Sequence, residues 1–159
     1  MKNRKRGFSL VELLIVLAVI AALIATITPV ALNAIKKSKA TQVAQNLKTL
    51  ASALENAAYV NGTESDIIQS GSGEVTLDSL GRDIDAENYA VYYTGTNGRY
   101  TATVVFKGDG DITMIQSTLA TAATGTFETA AVGIPLTGTD WVNPVGDEVI
   151  YYRIVFDVY

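Results

Sequence analysis

The sequence predicts an α+β fold in which a long, kinked N-terminal α-helix packs on a small antiparallel β-sheet head. Two observations support this expectation: the first third of the chain is apolar and helix-periodic, and a later region alternates apolar with polar residues. A small sheet exposes one face unless something covers it, and an amphipathic helix has the same need. We therefore expect the second half of the helix to pack against the sheet.

The predicted helix, from Phe8 to about Tyr59, begins as a membrane-length apolar run. No charged residue occurs between Leu13 and Ile35, and this stretch is near the roughly 20 apolar residues that cross about 30 Å of hydrocarbon. Asn61 and Gly62 tolerate the left-handed conformation and predict the end of the helix. Between the apolar run and this stop, apolar residues recur at helical spacing: Ala40, Val43, Ala44, Leu47, Leu50, Ala51, Leu54 and Ala58.

Pro29 interrupts the predicted helix. Proline lacks an amide hydrogen and collides with the preceding turn, so we expect a kink or a locally weak point there. The alternative is a tolerated proline kink in a membrane helix, without any part in assembly.

The rest of the chain predicts a loop followed by strands. Thr63 to about Asn88 is rich in Ser, Gly and Asp and predicts a connecting loop, whereas Thr118 to Gly125 has no readable period and stays unassigned. A hairpin is predicted from Tyr89 onward, with a Gly-Thr-Asn-Gly turn. The inward residues of the hairpin are Tyr100, Ala102, Val104 and Phe106. A terminal strand is also predicted, and its inward residues are Ile150, Tyr152, Ile154, Phe156 and Val158. The predicted parts are residues 1–7, 8–35, 36–61 and 62–159.

Charge and composition exclude several functions. The leader, residues 1–7, carries four of the 12 basic residues and none of the 16 acidic ones, so the remainder has a net charge of 8 − 16 = −8. Such a balance argues against binding to a nucleic-acid backbone. The chain has no Cys and no His, which excludes disulfides, thiol nucleophiles and the commonest zinc ligands. No nucleophile–base constellation is present, so we expect no enzymatic activity and no cofactor.

The order of residues around Gly7 is the most specific signal. A basic KNRKR stretch precedes Gly7, Phe8, Ser9, Leu10, Val11 and Glu12, and an apolar run follows. Over about the first 60 residues the chain resembles type IV filament precursors, the pilins and secretion-system pseudopilins. The resemblance implies cleavage between Gly7 and Phe8 by a prepilin peptidase and N-methylation of Phe8. It also implies extraction from the inner membrane by an assembly platform into a helical filament of identical subunits.

Glu12 is a carboxylate at the edge of an apolar segment. A charge at the centre of a membrane helix costs about 2.5–3.5 kcal/mol on insertion scales, so we expect a compensating partner. If the chain is cut after Gly7, the new amino group of Phe8 in a neighbouring subunit can supply the opposite charge. The alternative is that Glu12, six residues from Arg6, lies in the headgroup region and reaches water.

Three other functional classes remain open. A secretory signal peptide fits poorly, because no Ala-x-Ala pair ends the apolar run. A secretion pseudopilin is the nearer rival of a pilus subunit, because ALENAAYVNG resembles a pseudopilin segment, although the Tyr-Pro-Thr run that often follows is missing. A monomeric, single-span membrane-anchored binding domain would retain its leader.

Two minor candidates are better explained by local structure. Asp109 and Asp111 in the Gly-Asp-Gly-Asp segment could contact Ca²⁺, but the ligand spacing of a calcium loop is incomplete and turn formation is preferred. Asn61-Gly62-Thr63 fits a glycosylation acceptor, yet it is also the expected helix stop.

We expect the precursor in the cytoplasmic membrane, its N-terminus in the cytoplasm and lipid around its helix. We also expect a final location in an extracellular filament, with Phe8, Glu12 and Pro29 taking part in assembly.

Overall fold

The computed structural model describes residues 8–71, 73–81, 84–126, 133–136 and 147–159. The chain divides into two units, Met1–Lys36 and Lys37–Tyr159. One helix, α1 (Leu10–Asn61), begins in the first unit and ends in the second. The leader, residues 1–7, lies outside the described residues.

The second half of α1 forms one side of the hydrophobic core. Its buried residues are the eight that the helical period predicts, from Ala40 to Ala58, and Leu47, Leu50 and Leu54 are fully buried. The helix ends where predicted: Gly62 has φ of +76°, and its N–H donates to the Ala58 carbonyl at 3.1 Å. This left-handed stop favours glycine because a side chain would be strained there.

The segment predicted as a connecting loop contains regular structure, which corrects the sequence interpretation. Strands β1 (Thr63–Glu64), β2 (Ile67–Ser70) and β3 (Gly73–Glu74) form a small antiparallel sheet, and helix α2 (Leu77–Leu80) follows. The reason lies in isolated apolar residues that lack any readable period. Four of them enter the core from this segment: Ile68, Val75, Leu77 and Leu80.

The main sheet has five antiparallel strands in the order β6-β8-β5-β4-β7. Strands β4 (Tyr89–Thr96) and β5 (Arg99–Phe106) form the predicted hairpin, and β8 (Glu148–Asp157) is the predicted terminal strand. Strands β6 (Ala123–Thr126) and β7 (Ile134–Pro135) complete the sheet, so β6 falls in the stretch whose period could not be read. Helix α3 (Ile112–Gln116) follows the Gly-Asp-Gly-Asp turn.

The hairpin turn is formed by Asn97 and Gly98. Both have positive φ, 52° and 82°, which matches the backbone of a two-residue turn between twisted strands. A Cβ at Gly98 would lie 2.6 Å from the Val158 carbonyl oxygen, so the turn also needs glycine for its close approach to the end of the chain. The Val158 N–H donates to the Gly98 carbonyl at 2.7 Å.

The inner face of the main sheet packs against α1, which confirms the α+β architecture. All four predicted inward residues of β5 are buried, and Tyr100 stacks on Phe156 of β8 with 5.6 Å between ring centroids. The outer face differs from the prediction, because it carries a second apolar cluster around Ala90, Tyr92, Val105 and Val149. Thr103, expected on a polar face, is consequently buried.

Several tyrosines of the main sheet are buried, and burial raises the pKa of their phenols. Tyr89 is one; Asn46 of α1 donates to its hydroxyl at 3.2 Å, which partly offsets the effect of burial. Burial also raises the pKa of Tyr92. The pKa of Tyr93 is raised for the same reason, and a hydrogen bond with the backbone of Ile68 opposes the shift. The head therefore favours neutral phenols.

Candidate processing and assembly segment

The first turn of α1 is closed by a capping arrangement between Ser9 and Glu12. The Val11 N–H donates to the Ser9 Oγ at 3.3 Å, and the Ser9 N–H donates to Glu12 Oε2 at 2.8 Å. Two N–H groups without helical partners are thereby satisfied, and the carboxylate lies at the positive end of the helix dipole. Sequence reasoning missed this role for Glu12, although the Ser-x-x-Glu pattern that signals it is visible.

The structure describes Phe8 but not Gly7, the two residues on either side of the predicted cleavage position. Phe8 precedes the helix and its ring is 84% exposed. Gly7 lies outside the described residues, so cleavage after Gly7 stays a prediction. Phe8 and Glu12 are only four residues apart along the chain, about one helical turn.

The apolar first part of α1 is uncovered within the described chain. Every residue from Phe8 to Lys39 is exposed, and the large apolar side chains from Leu10 to Ile35 are 47–76% exposed. By length and composition, α1 is able to cross a membrane, and it is the one such helix in the part of the chain that the structure describes. The predicted apolar run is therefore a helix whose side chains make no core.

The helix continues through Pro29, and the expected kink or weak point at this position stays a prediction. Proline removes the N–H that would bond the Ala25 carbonyl. Two neighbouring hydroxyls bond to carbonyls just upstream: Thr26 Oγ1 donates to Leu23 at 2.9 Å and Thr28 Oγ1 donates to Ile24 at 2.7 Å. These hydroxyl bonds go to the carbonyls of Leu23 and Ile24 rather than to that of Ala25, and an assembly role for Pro29 stays a prediction.

Of the two calcium candidates, Asp109 and Asp111, the second has a structural role. Asp111 is the N-cap of α3, where its Oδ1 accepts hydrogen bonds from the N–H groups of Thr113 at 2.9 Å and Met114 at 3.2 Å. Asp109 is exposed in the preceding turn. Among the described residues there is no cluster of three or more side chains suited to hold a metal ion. The N-cap at Asp111 is a local structural role of the kind that the turn interpretation implies, and calcium binding stays untested.

Comparison with known families matches the N-terminal segment. The family model for the prokaryotic N-terminal methylation motif matches residues 2–28, which include Gly7, Phe8, Glu12 and most of the apolar run before Pro29. Neither the curated proteins nor the solved structures give a match to this chain. The chain therefore carries the prokaryotic N-terminal methylation motif, the class III leader signal of type IV pilin-type precursors.

Proposed function

We propose that this protein is a structural subunit of a type IV pilus-like filament. In this proposal a prepilin peptidase cuts between Gly7 and Phe8, Phe8 is N-methylated, and the subunits polymerise through the first part of α1. One observation carries the proposal: the methylation motif leads directly into a helix whose apolar side chains are exposed as far as Ile35. The precursor is then a membrane protein, and the product is an extracellular fibre.

The exposed apolar surface of α1 requires an apolar environment both before and after assembly. Leu14, Ile15 and Leu17 are each more than half exposed, at 57%, 58% and 55%. Full burial of one such side chain contributes about 1.5–3 kcal/mol, so the whole segment represents on the order of tens of kcal/mol. Lipid covers this surface before assembly, and helices of sister subunits cover it afterwards. Ala18, Ala21, Ala22 and Ala25 allow those helices to approach closely.

Glu12 has two roles in this proposal, and they can be separated. Within one copy its carboxylate caps the helix, which requires only a hydrogen-bond acceptor. Between copies its negative charge pairs with the amino group of a neighbour's Phe8, which requires ionisation. Glu12→Gln keeps an acceptor for the Ser9 N–H and removes the charge, whereas Glu12→Ala removes both.

The decisive experiment measures fibres on the native host by electron microscopy for these two variants. We expect both to lose fibres, because an unpaired amino group in an apolar core is costly. Ser9→Ala is the matched control, since it removes the Oγ cap and leaves the carboxylate, and it should retain fibres. Normal fibres from Glu12→Gln would show that capping, rather than charge pairing, is the role of Glu12.

Processing is tested separately by mass spectrometry of the mature N-terminus. A chain that starts at N-methylated Phe8 supports the proposal. A chain that retains Lys2 to Gly7 contradicts it and favours a monomeric, membrane-anchored binding domain.

A secretion pseudopilus remains the second form of the same proposal. It shares the leader, the peptidase, the methylation and the helix-mediated polymer, so the N-terminal motif supports both forms equally. We prefer the pilus because the segment after Asn61-Gly62 continues as Thr-Glu-Ser rather than Tyr-Pro-Thr. Secretion of an exoprotein that depends on this gene, without surface fibres, would favour the pseudopilus.

A further inference from the structure

Among the described residues, one edge of the main sheet has no strand partner along most of β8. Strand β6 pairs with β8 only as far as Tyr151, opposite Ala123. Beyond that point, no strand within the described part of the chain pairs with this edge up to Asp157, although β5 pairs with the other edge as far as Asp157. An open strand edge presents backbone donors and acceptors to a second strand.

The hydrogen-bond pattern shows which residues present those groups. The Val158 N–H donates to the Gly98 carbonyl, so the backbone groups of Val158 point toward β5 and its hairpin turn. Phe156 lies two residues earlier, opposite Tyr100 of β5. Backbone groups of an antiparallel strand alternate between its two edges, so those of Val155 and Asp157 point away from β5, toward the open edge. Their side chains lie on the outer face, where Val155 is 53% exposed.

We propose that this edge pairs with β8 of a second copy, antiparallel, about a two-fold axis at Val155. Charge complementarity selects this partner and register. The axis at Val155 places Arg153 of each copy opposite Asp157 of the other, and opposite charges across strands stabilise pairing. An axis at Arg153 or at Asp157 would oppose like charges. An axis at Ile154 or Phe156 would place a charge against Val155.

The two charged side chains are suited to this contact. Arg153 Nε donates to Thr103 Oγ1 at 3.0 Å, and its guanidinium lies 5.5 Å from the centroid of the Tyr151 ring. These contacts order the side chain in advance, which lowers the entropic cost of pairing. Among the described residues, the ion pair of Asp157 is a long contact with Arg99, 3.9 Å between Oδ1 and Nε, and both side chains are substantially exposed. Such a pair is weak and leaves the carboxylate able to accept a second guanidinium.

Exposed apolar groups lie on both sides of the open edge. On the outer face this group is Val155. On the inner face Tyr59 is 53% exposed, with its ring 6.1 Å from that of Phe156, and Tyr159 at the end of the chain is fully exposed. Tyrosine is enriched at interfaces because it offers a large apolar ring with a polar tip.

The symmetry of this contact gives it a function distinct from polymerisation. A two-fold contact uses the same surface twice and closes at two copies, so it cannot propagate along a polar helical fibre. If the proposed function holds, the β8 edges would join heads of neighbouring filaments side by side. The contact itself does not require cleavage or a filament.

The test is disulfide cross-linking of the full-length chain in detergent, which covers the exposed apolar part of α1. The natural sequence has no cysteine, so each introduced thiol is the only one in its chain. Val155→Cys places two thiols opposite each other in the dimer, at a Cα separation of about 5.5 Å that a disulfide can span. Thr101→Cys is the control, since Thr101 pairs with Val155 within one copy and lies one strand in from the edge. We expect a disulfide-linked dimer from Val155→Cys and no dimer from Thr101→Cys.

Charge reversal tests the register. Arg153→Asp should weaken dimerisation on the order of ten-fold, because two favourable pairs become repulsive, and Arg153→Asp with Asp157→Arg should restore it. Circular dichroism checks that each variant is folded. Equal cross-linking of the two cysteine variants, no cross-linking of either, or no effect of charge reversal would overturn the proposal. None of these results bears on cleavage at Phe8, so the proposed function is judged separately.

Discussion

The two halves of α1 should respond in opposite ways to the same substitution. Leu50 is fully buried against the sheet, whereas Leu23 is 54% exposed in the apolar first part of the helix. Leucine to alanine at either position removes the same atoms and does not lower helix propensity. Any difference between Leu50→Ala and Leu23→Ala therefore reports what each half of the helix contacts.

The size of the difference follows from burial. Truncation of a buried leucine loses its transfer free energy and leaves a cavity, which together cost about 2–5 kcal/mol, and we take ~3 kcal/mol for Leu50. Domains of this size are stable by about 5–15 kcal/mol, so the loss is a substantial fraction of the total. With a urea dependence of about 2 kcal/mol per M, the unfolding midpoint should fall by roughly 1.5 M. For Leu23→Ala the free energy of unfolding of the head should change by less than about 0.5 kcal/mol.

The assay is urea unfolding of the full-length chain in detergent, followed by near-ultraviolet circular dichroism of the buried tyrosines. This signal reports the packing of the head rather than the helicity of the apolar segment. Equal shifts in the urea midpoint for the two variants would refute the division of α1 into a core half and an uncovered half. A shift below about 0.5 M for Leu50→Ala would refute the cavity estimate.

Three further predictions concern the head. Burial raises the pKa of Tyr92 and Tyr93 above 10.0. Their contribution to stability is therefore complete below that pH and is lost as the pH rises through the raised values. Alkaline titration should show tyrosinate absorbance and unfolding together above about pH 10. Gly98→Ala should destabilise the head by about 1–3 kcal/mol in urea unfolding, since φ is +82° and the new Cβ would meet the Val158 carbonyl, and an unchanged midpoint would exclude this strain. Asp111→Ala should cost about 1 kcal/mol through the lost N-cap, whereas Asp111→Asn should retain most of it, and equal losses would argue against capping.

The long helix could be predicted closely because one-dimensional signals define it. An uncharged run, a helical period from Ala40 to Ala58 and an Asn-Gly stop each act over a few neighbouring residues. The hairpin was predictable for the same reason, since Asn97 and Gly98 supply the turn and alternation supplies the faces. The predicted methylation motif was likewise confirmed by its family match.

Residues 63–80 could not be predicted correctly from local signals. Their strands have only two to four residues, too few to show a period, and Ile68 is buried because the main sheet and α1 surround it. Thr103 shows the same limit on a sheet face. The alternating pattern predicts that Thr103 is a polar residue on the outer face. That face holds a second apolar cluster, so Thr103 is buried, and Arg153 of β8 donates a hydrogen bond to its hydroxyl.

The amino-acid sequence by itself determined the apolar helix, its stop, the pattern of strands and the methylation motif, because each depends on residues close together along the chain. Tertiary structure decided which side chains lose contact with water and which strand edge stays unpaired among the described residues. Those outcomes depend on β8 lying beside β5 and on β6 ending opposite Tyr151, contacts between segments far apart in sequence. No local pattern encodes such contacts, because their free energy arises only when the chain has folded.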